Sequence, residues 1–164
     1  MTGRASPGSA RGSRRRTART LPPQVILERV DDAPEVPLPA RATIGSAAFD
    51  LASAEEVRLE RGAVSLVRTG WRMRAPPGTF LEVRPRSGLS SRGVLMVNAP
   101  GTIDRDYAGE VKVPLTFLFE GSYPIHVGDR IAQIRLVTDR PVRFVLGTVP
   151  PNTSRSGGFG STGR

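Results

Sequence analysis

The sequence predicts an all-β domain, a jelly-roll-like barrel or sandwich built from many short strands. Eighteen glycines and fifteen prolines in 164 residues favour short elements joined by tight turns. One stretch alternates apolar and polar residues with a period of two, and no window has the period of a helix. About ten short strands separated by turns are typical of such a fold.

The clearest strand lies between residues 110 and 120. Its apolar positions are Val111, Val113, Leu115, Phe117 and Phe119, each followed by a residue of the opposite face. Because successive side chains of a strand point to opposite faces, this pattern predicts one face toward a core. Pro114 lacks the N–H that a central strand uses, and therefore indicates a bulge or an edge.

The other strand candidates are apolar segments, mostly bounded by Gly or Pro. In chain order they are Val25–Val30, Ala47–Leu51, Val57–Leu59, Val64–Arg68, Trp71–Arg74, Thr79–Arg84, Arg130–Val137 and Val142–Leu146.

Composition divides the chain into three parts. Residues 1–23 have little to bury and are predicted to be a disordered basic arm, residues 24–151 form the β domain, and residues 152–164 form a glycine-rich arm. Six arginines fall within the first twenty residues, so the rest of the chain has 18 basic and 15 acidic groups. The net charge of +9 is therefore concentrated in the basic arm. A solvated appendage is the simplest interpretation, a nucleic-acid-contacting arm or an organelle transit peptide being alternatives.

Several classes of function are excluded. The chain has no cysteine and a single histidine, His126, so neither a disulfide framework nor a zinc site of thiolates or histidines can be built. A Ser-His-Asp triad is disfavoured for the same reason. No apolar run approaches the roughly 20 residues that span a membrane. We therefore expect a cytoplasmic protein with no membrane partner.

The segment from Arg84 to Arg92 is basic and rich in hydroxyl groups and glycine. After a strand, it offers guanidinium groups, hydroxyls and accessible backbone N–H groups, which are the donors that recognise phosphate oxygens. Alone, an ordinary polar surface loop explains it equally well.

The segment from Asn98 to Glu110 places two carboxylates, Asp104 and Asp106, beside Tyr107 in a turn bounded by glycines. A carboxylate held near a polyphosphate can accept a proton from an attacking water. The alternative is a structural turn in which Asp and Asn bind their own backbone.

The segment from Gly128 to Ile134 contains a glutamine, Gln133, within an apolar strand. An unpaired buried amide costs roughly 1–3 kcal/mol. If Gln133 faces inward it needs a partner, such as a phosphate oxygen or a bound water.

Together and in order, these segments resemble the motifs of the trimeric dUTPase family. Ala47–Leu51 is similar to the first motif, the three segments above to the second, third and fourth, and Arg155–Gly163 to the fifth. The resemblance implies hydrolysis of dUTP to dUMP and pyrophosphate by a homotrimer that shares its active sites between subunits. It also implies that Mg²⁺ binds with the triphosphate.

The resemblance further implies roles for individual residues. Asp50 would hold Mg²⁺ through water, Asp104 would activate the attacking water, and Gln133 would place phosphate or water. Together with Arg86 and Ser87 these residues form the expected catalytic set. The side chains or backbone of Arg86, Ser87 and Gly88 would bind phosphate oxygens.

The nucleoside would be recognised by the segment that carries Asp104. Backbone groups of Thr102, Ile103 and Asp104, with the Asn98 amide, would read the uracil edge, rejecting cytosine because its donors and acceptors are reversed. Tyr107 would pack against the deoxyribose and exclude a 2′-hydroxyl. Lys112 would line the pocket.

The glycine-rich arm would close over the substrate, with Phe159 stacked on uracil and Arg155 neutralising phosphate charge. Two positions depart from the family pattern. Ala48 stands where glycine is usual, and Arg155 precedes Phe159 by four residues where the family has five, with Ser154 at the usual arginine position. Two rival hypotheses are a dCTP deaminase of the same fold and an inactive nucleotide-binding or regulatory homologue.

Overall fold

The computed structural model describes residues 21–149. The predicted glycine-rich arm, with Arg155 and Phe159, and all but the last three residues of the predicted basic arm lie outside the described residues. The domain boundaries therefore stay predictions.

The described residues form ten strands and one short helix. They are β1 Ile26–Arg29, β2 Phe49–Ala52, β3 Val57–Glu60, β4 Ser65–Arg74, β5 Thr79–Arg84, α1 Ser87–Ser90, β6 Val94–Met96, β7 Gly101–Ile103, β8 Glu110–Phe117, β9 Ser122–Ile125 and β10 Arg130–Thr138. Among residues 21–149, no helix has the length and apolar character needed to cross a membrane.

The strands make two four-stranded sheets and a small third one. Sheet I has the order β1-β4-β8-β6, sheet II has the order β2-β10-β5-β7, and β3 pairs with β9. Neighbouring strands are antiparallel throughout. One core joins the two large sheets, with Met73 and Val113 from sheet I and Leu81 and Ile134 from sheet II. The predicted all-β class is confirmed as a sandwich, since no sheet in this part of the chain closes into a barrel.

Two predicted strands agree closely with the structure. β5 has the predicted bounds, and in β8 the four alternating apolar residues from Val111 to Phe117 are all buried. The prediction was wrong for Phe119, whose surface is 52% exposed. The strand has ended at Phe117, so the period of two no longer directs the next apolar side chain inward.

Pro114 lies neither at a bulge nor on an edge strand, which corrects the expectation. β8 is an inner strand of sheet I, and Pro114 pairs in register with Leu66. Its carbonyl accepts a hydrogen bond from the Val97 N–H. The N–H and C=O of a strand residue point to the same neighbouring strand, which for Pro114 is β6. Because β6 has ended at Met96, the N–H that proline lacks is not needed for the regular pairing of β6 with β8.

The segments Val64–Arg68 and Trp71–Arg74 belong to one ten-residue strand, β4. The register with β8 shifts between Arg68 and Arg72, and Gly70 has a φ of +73° within that shift. The break that the sequence indicated is therefore a bulge that the strand passes through.

Val142–Leu146 is not a strand, and that prediction was wrong. Its side chains are exposed, Phe144 to 95%, and no strand of the described residues pairs with it. A run of apolar residues forms a strand only where a neighbouring strand supplies hydrogen-bond partners. The short elements β6, β7, β9 and α1 were not predicted.

Candidate active site

Asp50 lies in the edge strand β2, at one end of a row of polar residues that crosses sheet II. It stands opposite Gln133 of β10, which stands opposite Arg84 of β5. Residues directly opposite each other project from the same face of a sheet. Two residues predicted for the site from separate motifs are thereby brought together, although 83 residues separate them in sequence.

The Asp50 carboxylate is almost completely buried and accepts three hydrogen bonds. Oδ1 accepts from Arg86 Nε at 3.2 Å and from Gln133 Nε2 at 3.1 Å, and Oδ2 accepts from Arg130 Nη1 at 3.1 Å. A buried carboxylate requires such partners, because an unpaired one is costly to remove from water. We call these four residues the Asp50 cluster. Gln133 projects from the face of β10 opposite to the core residue Ile134, and its partner is the Asp50 carboxylate, whereas the sequence suggested a phosphate oxygen or a water for an inward-facing glutamine.

Arg130 is the member of the Asp50 cluster that sequence reasoning missed. It opens β10, its side chain is partly exposed, and its carbonyl accepts a second bond from Arg86 Nη1 at 2.8 Å. Its neighbour in the motif, Gln133, drew attention as the polar residue in an apolar strand. An arginine next to a turn gave no comparable signal.

Arg86, Ser87 and Gly88 stand where β5 leads into α1. Arg86 has extended backbone angles and precedes the helix, which the buried Leu89 anchors to the core. Ser87 and Gly88 are exposed, and the space where a Cβ of Gly88 would lie is open. Of the arginines in this segment, Arg86 faces Asp50, whereas Arg84 binds Glu82 Oε1 at 2.6 Å.

The second group of predicted residues lies on residues 98–110, at the far edge of sheet II. Here the chain turns from β7 of sheet II to β8 of sheet I, two strands that do not pair with each other, and we call this turning segment the 98–110 hairpin. Asn98, Thr102, Asp104 and Tyr107 are exposed, and Ile103 is half-buried against the core. Lys112 is also exposed, on the outer face of sheet I opposite Arg68. Asp104 borders an open cavity of about 960 Å³ whose wall includes Arg74, Thr79 and Asp139.

Tyr107 is held in place by its own loop. Its backbone N–H donates to the Asp104 carbonyl at 3.2 Å, and its hydroxyl donates to the Glu110 carbonyl at 3.0 Å. A Cβ at Gly109 would collide with this hydroxyl. The glycine is therefore required for the ring's position.

Within one chain the Asp50 cluster and the 98–110 hairpin are far apart. Asp50 is level with Arg84 of β5, whereas Ile103 of β7 is level with Leu81. Strands lie about 4.8 Å apart and residues advance about 3.3 Å along them, so Asp50 and Asp104 are separated by roughly 20 Å. One chain therefore presents two halves of the predicted site, which do not meet.

The Asp50 cluster fits a magnesium ion held through water better than direct coordination. A carboxylate has about four lone-pair positions, and three are occupied by Arg86, Gln133 and Arg130. Mg²⁺ commonly keeps several of its waters in protein sites, and one remaining acceptor position suffices for such a water. Among the described residues, no three acidic or histidine side chains group as a metal site.

Arginine side chains, a serine hydroxyl and accessible backbone N–H groups beside the Asp50 cluster are donors that recognise phosphate oxygens, so the arrangement is of the anion-binding class. The family model described as dUTPase matches residues 34–163, and the chain belongs to the dUTPase family.

Individual relatives belong to the same family. Over 151 residues the chain is 48% identical to the deoxyuridine 5′-triphosphate nucleotidohydrolase of Anaeromyxobacter sp. strain Fw109-5, covering 88% of this chain and all of that protein. Among solved structures, the dUTPase of Staphylococcus bacteriophage 80alpha with dUPNHPP is 25% identical, with a TM-score of 0.72 over 85% of this chain and 98% of that one. A mutant dUTPase of the S. aureus phage phi11, described with a structural Mg(II) ion, shares the fold at 21% identity, with a TM-score of 0.65 over 79% of this chain and 98% of that one.

Proposed function

We infer that this chain hydrolyses dUTP to dUMP and pyrophosphate, which lowers dUTP, limits uracil incorporation into DNA and supplies dUMP for thymidylate synthesis. The observation that carries the inference is the Asp50 cluster, in which residues from three separate family motifs meet around one buried carboxylate. Relatives named for this activity match 77–88% of the chain.

The Asp50 cluster would bind the triphosphate. Arg86 is held by Asp50 and by the Arg130 carbonyl, so its guanidinium is oriented before substrate arrives. Ser87 and Gly88, exposed beside it, would donate to phosphate oxygens, and Gln133 would place phosphate or water. Asp50 would hold Mg²⁺ through water, and the bound ion would screen the phosphate charges. The phi11 relative described with Mg(II) supports the choice of metal.

The 98–110 hairpin would select the nucleoside and carry the general base. Backbone groups of Thr102 and Ile103 with the Asn98 amide would pair with the uracil edge, and Tyr107 would pack against the deoxyribose. Asp104 would accept a proton from the water that attacks the α-phosphorus, breaking its bond to the pyrophosphate leaving group. Lys112 would line the pocket. Arg155 and Phe159, outside the described residues, would close it.

We propose that the two halves meet between subunits of a homotrimer. The separation of roughly 20 Å supports this, because strand spacing prevents Asp50 and Asp104 of one chain from touching one substrate. The outer face of sheet I also carries exposed Leu66, Leu95 and Val97 around Pro114, where an antiparallel sheet facing water is usually polar. A partner chain would cover this apolar face.

The reaction is tested by incubating the protein and Mg²⁺ with dUTP, dCTP, dTTP or UTP separately and resolving the products by chromatography. We expect conversion of dUTP to dUMP and pyrophosphate, with little turnover of the other three. Conversion of dCTP to dUTP or dUMP would assign the chain to the deaminases of this fold instead.

The Asp104→Asn variant tests the role of the base. It should bind dUTP normally and hydrolyse it at least about a hundredfold more slowly, since a general base contributes about 10²–10⁴-fold. Isothermal titration with a non-hydrolysable dUTP analogue and single-turnover kinetics separate binding from chemistry. Equal kcat in both proteins would remove Asp104 from the reaction.

Two further assignments stay predictions. A cytoplasmic location is tested by cell fractionation. Nucleic-acid binding by the basic arm is tested by comparing the full chain with one lacking residues 1–20 over a salt series, because phosphate contacts weaken steeply with salt.

A further inference from the structure

The bulge in β4 is closed by a carboxylate from the neighbouring strand. Between Arg68 and Arg72 the register with β8 shifts, so the Gly70 N–H has no partner in the regular ladder. It donates to Glu110 Oε1 at 2.9 Å. The Glu110 side chain is only 10% exposed, so this carboxylate is buried at the base of the 98–110 hairpin.

Arg68 balances the buried charge. Its Nε donates to both oxygens of Glu110, at 2.9 Å and 3.2 Å, and its two terminal nitrogens donate to Asp32, the shorter bond being 2.6 Å. The Arg68 backbone N–H donates to Glu55 Oε1 at 2.7 Å. The hydrogen bond that Arg68 donates lowers the pKa of Asp32, and the hydrogen bonds that Arg68 donates to Asp32 and Glu110 raise the pKa of its guanidinium. Asp32 and Arg68 are thus both charged at neutral pH.

The other end of Glu110 touches the predicted nucleoside site. The Glu110 carbonyl accepts a hydrogen bond from the Tyr107 hydroxyl at 3.0 Å. The Tyr107 backbone N–H donates to the Asp104 carbonyl. The side chain of Glu110 is bound to β4 while its backbone carries this loop. A change in the side chain's contacts is therefore transmitted to Tyr107 and Asp104 over very few bonds.

We propose that Glu110, clamped by Arg68, is a positioning residue that sets Tyr107 against the sugar and Asp104 against the attacking water. The proposal rests on the proposed dUTP hydrolysis. Glu110 touches no substrate, but through Tyr107 and Asp104 it raises kcat and increases the discrimination against a 2′-hydroxyl.

Glu110→Gln separates positioning from mere folding. The amide retains an oxygen for the Gly70 N–H and the same size, but loses the charge that Arg68 binds. Since a displacement of about 1 Å in a catalytic group costs up to about a hundredfold in rate, we expect kcat for dUTP to fall about tenfold or more. The ratio of kcat/KM for dUTP to that for UTP should fall about fivefold or more, because a displaced Tyr107 admits the ribose.

A double-mutant cycle tests the clamp. Glu110→Gln, Arg68→Gln and the double variant are compared for kcat, KM and the dUTP to UTP ratio, with circular dichroism and melting temperature to verify folding. Both singles should lower the ratio, and the double should lose no more than the worse single, since removing either partner breaks the same contact. Arg68→Lys keeps the positive charge, so its dUTP to UTP ratio should lie between those of the wild type and Arg68→Gln.

The matched control is Glu120→Gln, which removes the charge from an exposed glutamate paired with Arg61. It should leave both kcat and the nucleotide ratio unchanged. A wild-type protein inactive on dUTP would refute the proposed function itself. An active wild type whose Glu110→Gln variant keeps the dUTP to UTP ratio, or variants whose losses multiply in the double, would overturn the positioning role alone.

Discussion

At the scale of single residues, the buried Asp50 carboxylate depends on hydrogen bonds from segments that are distant in sequence. The apolar residues around it indicate a buried strand, and a carboxylate there requires partners. The motif resemblance identified Arg86 and Gln133 as site residues. Their shared hydrogen bonding to Asp50, and the participation of Arg130, follow from strand register, which depends on pairing between distant segments. Local sequence carries little information about such pairing.

Two buried threonine hydroxyls differ in their partners and provide a stability test. Thr69 Oγ1 donates to the Val111 carbonyl at 2.6 Å, whereas Thr116 Oγ1 is buried without a hydrogen-bond partner among residues 21–149. Thr69→Val should lower the free energy of unfolding by about 0.5–1.5 kcal/mol, because it removes the hydrogen bond from the hydroxyl to the Val111 carbonyl. Thr116→Val should be neutral or stabilising.

Urea denaturation at one fixed protein concentration measures both variants. Equal losses for the two substitutions would mean that the Thr69 hydrogen bond adds no net stability.

At the scale of elements, most strands were predictable because they are apolar segments bounded by turn residues. β5 has the predicted bounds, β1, β3 and β10 differ from the prediction by at most one residue at an end, and β8 has the predicted alternation. β6 and β7 have three residues each, too few to show a period, and β9 contains a proline, Pro124, which is unusual within a strand. The run from Val142 to Leu146 shows the opposite error, since it has strand composition but no partner strand in the described part of the chain.

The β4 bulge depends on one glycine, which gives a prediction at this scale. Gly70 and Gly78 both have positive φ, but a Cβ at Gly70 would lie 3.0 Å from the Ala33 Cβ and 3.1 Å from the Ala54 Cβ, while the space at Gly78 is open. Gly78→Ala should cost about 1–2 kcal/mol of backbone strain. Gly70→Ala should cost more, since it adds two close contacts in a packed interior.

Thermal unfolding monitored through Trp71, the single tryptophan, compares the two variants. A smaller loss for Gly70→Ala than for Gly78→Ala would show that the bulge relaxes without strain.

At the scale of the whole molecule, the separation of the Asp50 cluster from the 98–110 hairpin determines how activity depends on assembly. The fold class was predictable from the sequence, and the motifs named candidate residues in both parts of the predicted site. The distance between these parts was not predictable, because it follows from the order β2-β10-β5-β7 in sheet II.

Mixed assemblies test the shared site. The Asp50→Asn and Asp104→Asn variants should each be nearly inactive alone. The first has a defective Asp50 cluster, and the second has a defective 98–110 hairpin. After co-refolding in equal amounts, about one quarter of the sites in random trimers should combine two intact halves. Recovered activity near one quarter of wild type is therefore expected. Native mass spectrometry verifies that mixed trimers form, and mixed trimers without activity would place both halves in one chain.

The same separation has a genetic consequence. In the proposed trimer each chain contributes its Asp50 cluster to one site and its 98–110 hairpin to another. A chain defective only in one half would inactivate one site of a mixed trimer, whereas a chain defective in both would inactivate two of the three. An allele encoding a doubly defective chain that still folds and assembles would interfere with a co-expressed normal copy and should behave as dominant-negative, whereas an allele whose chain fails to fold should be recessive.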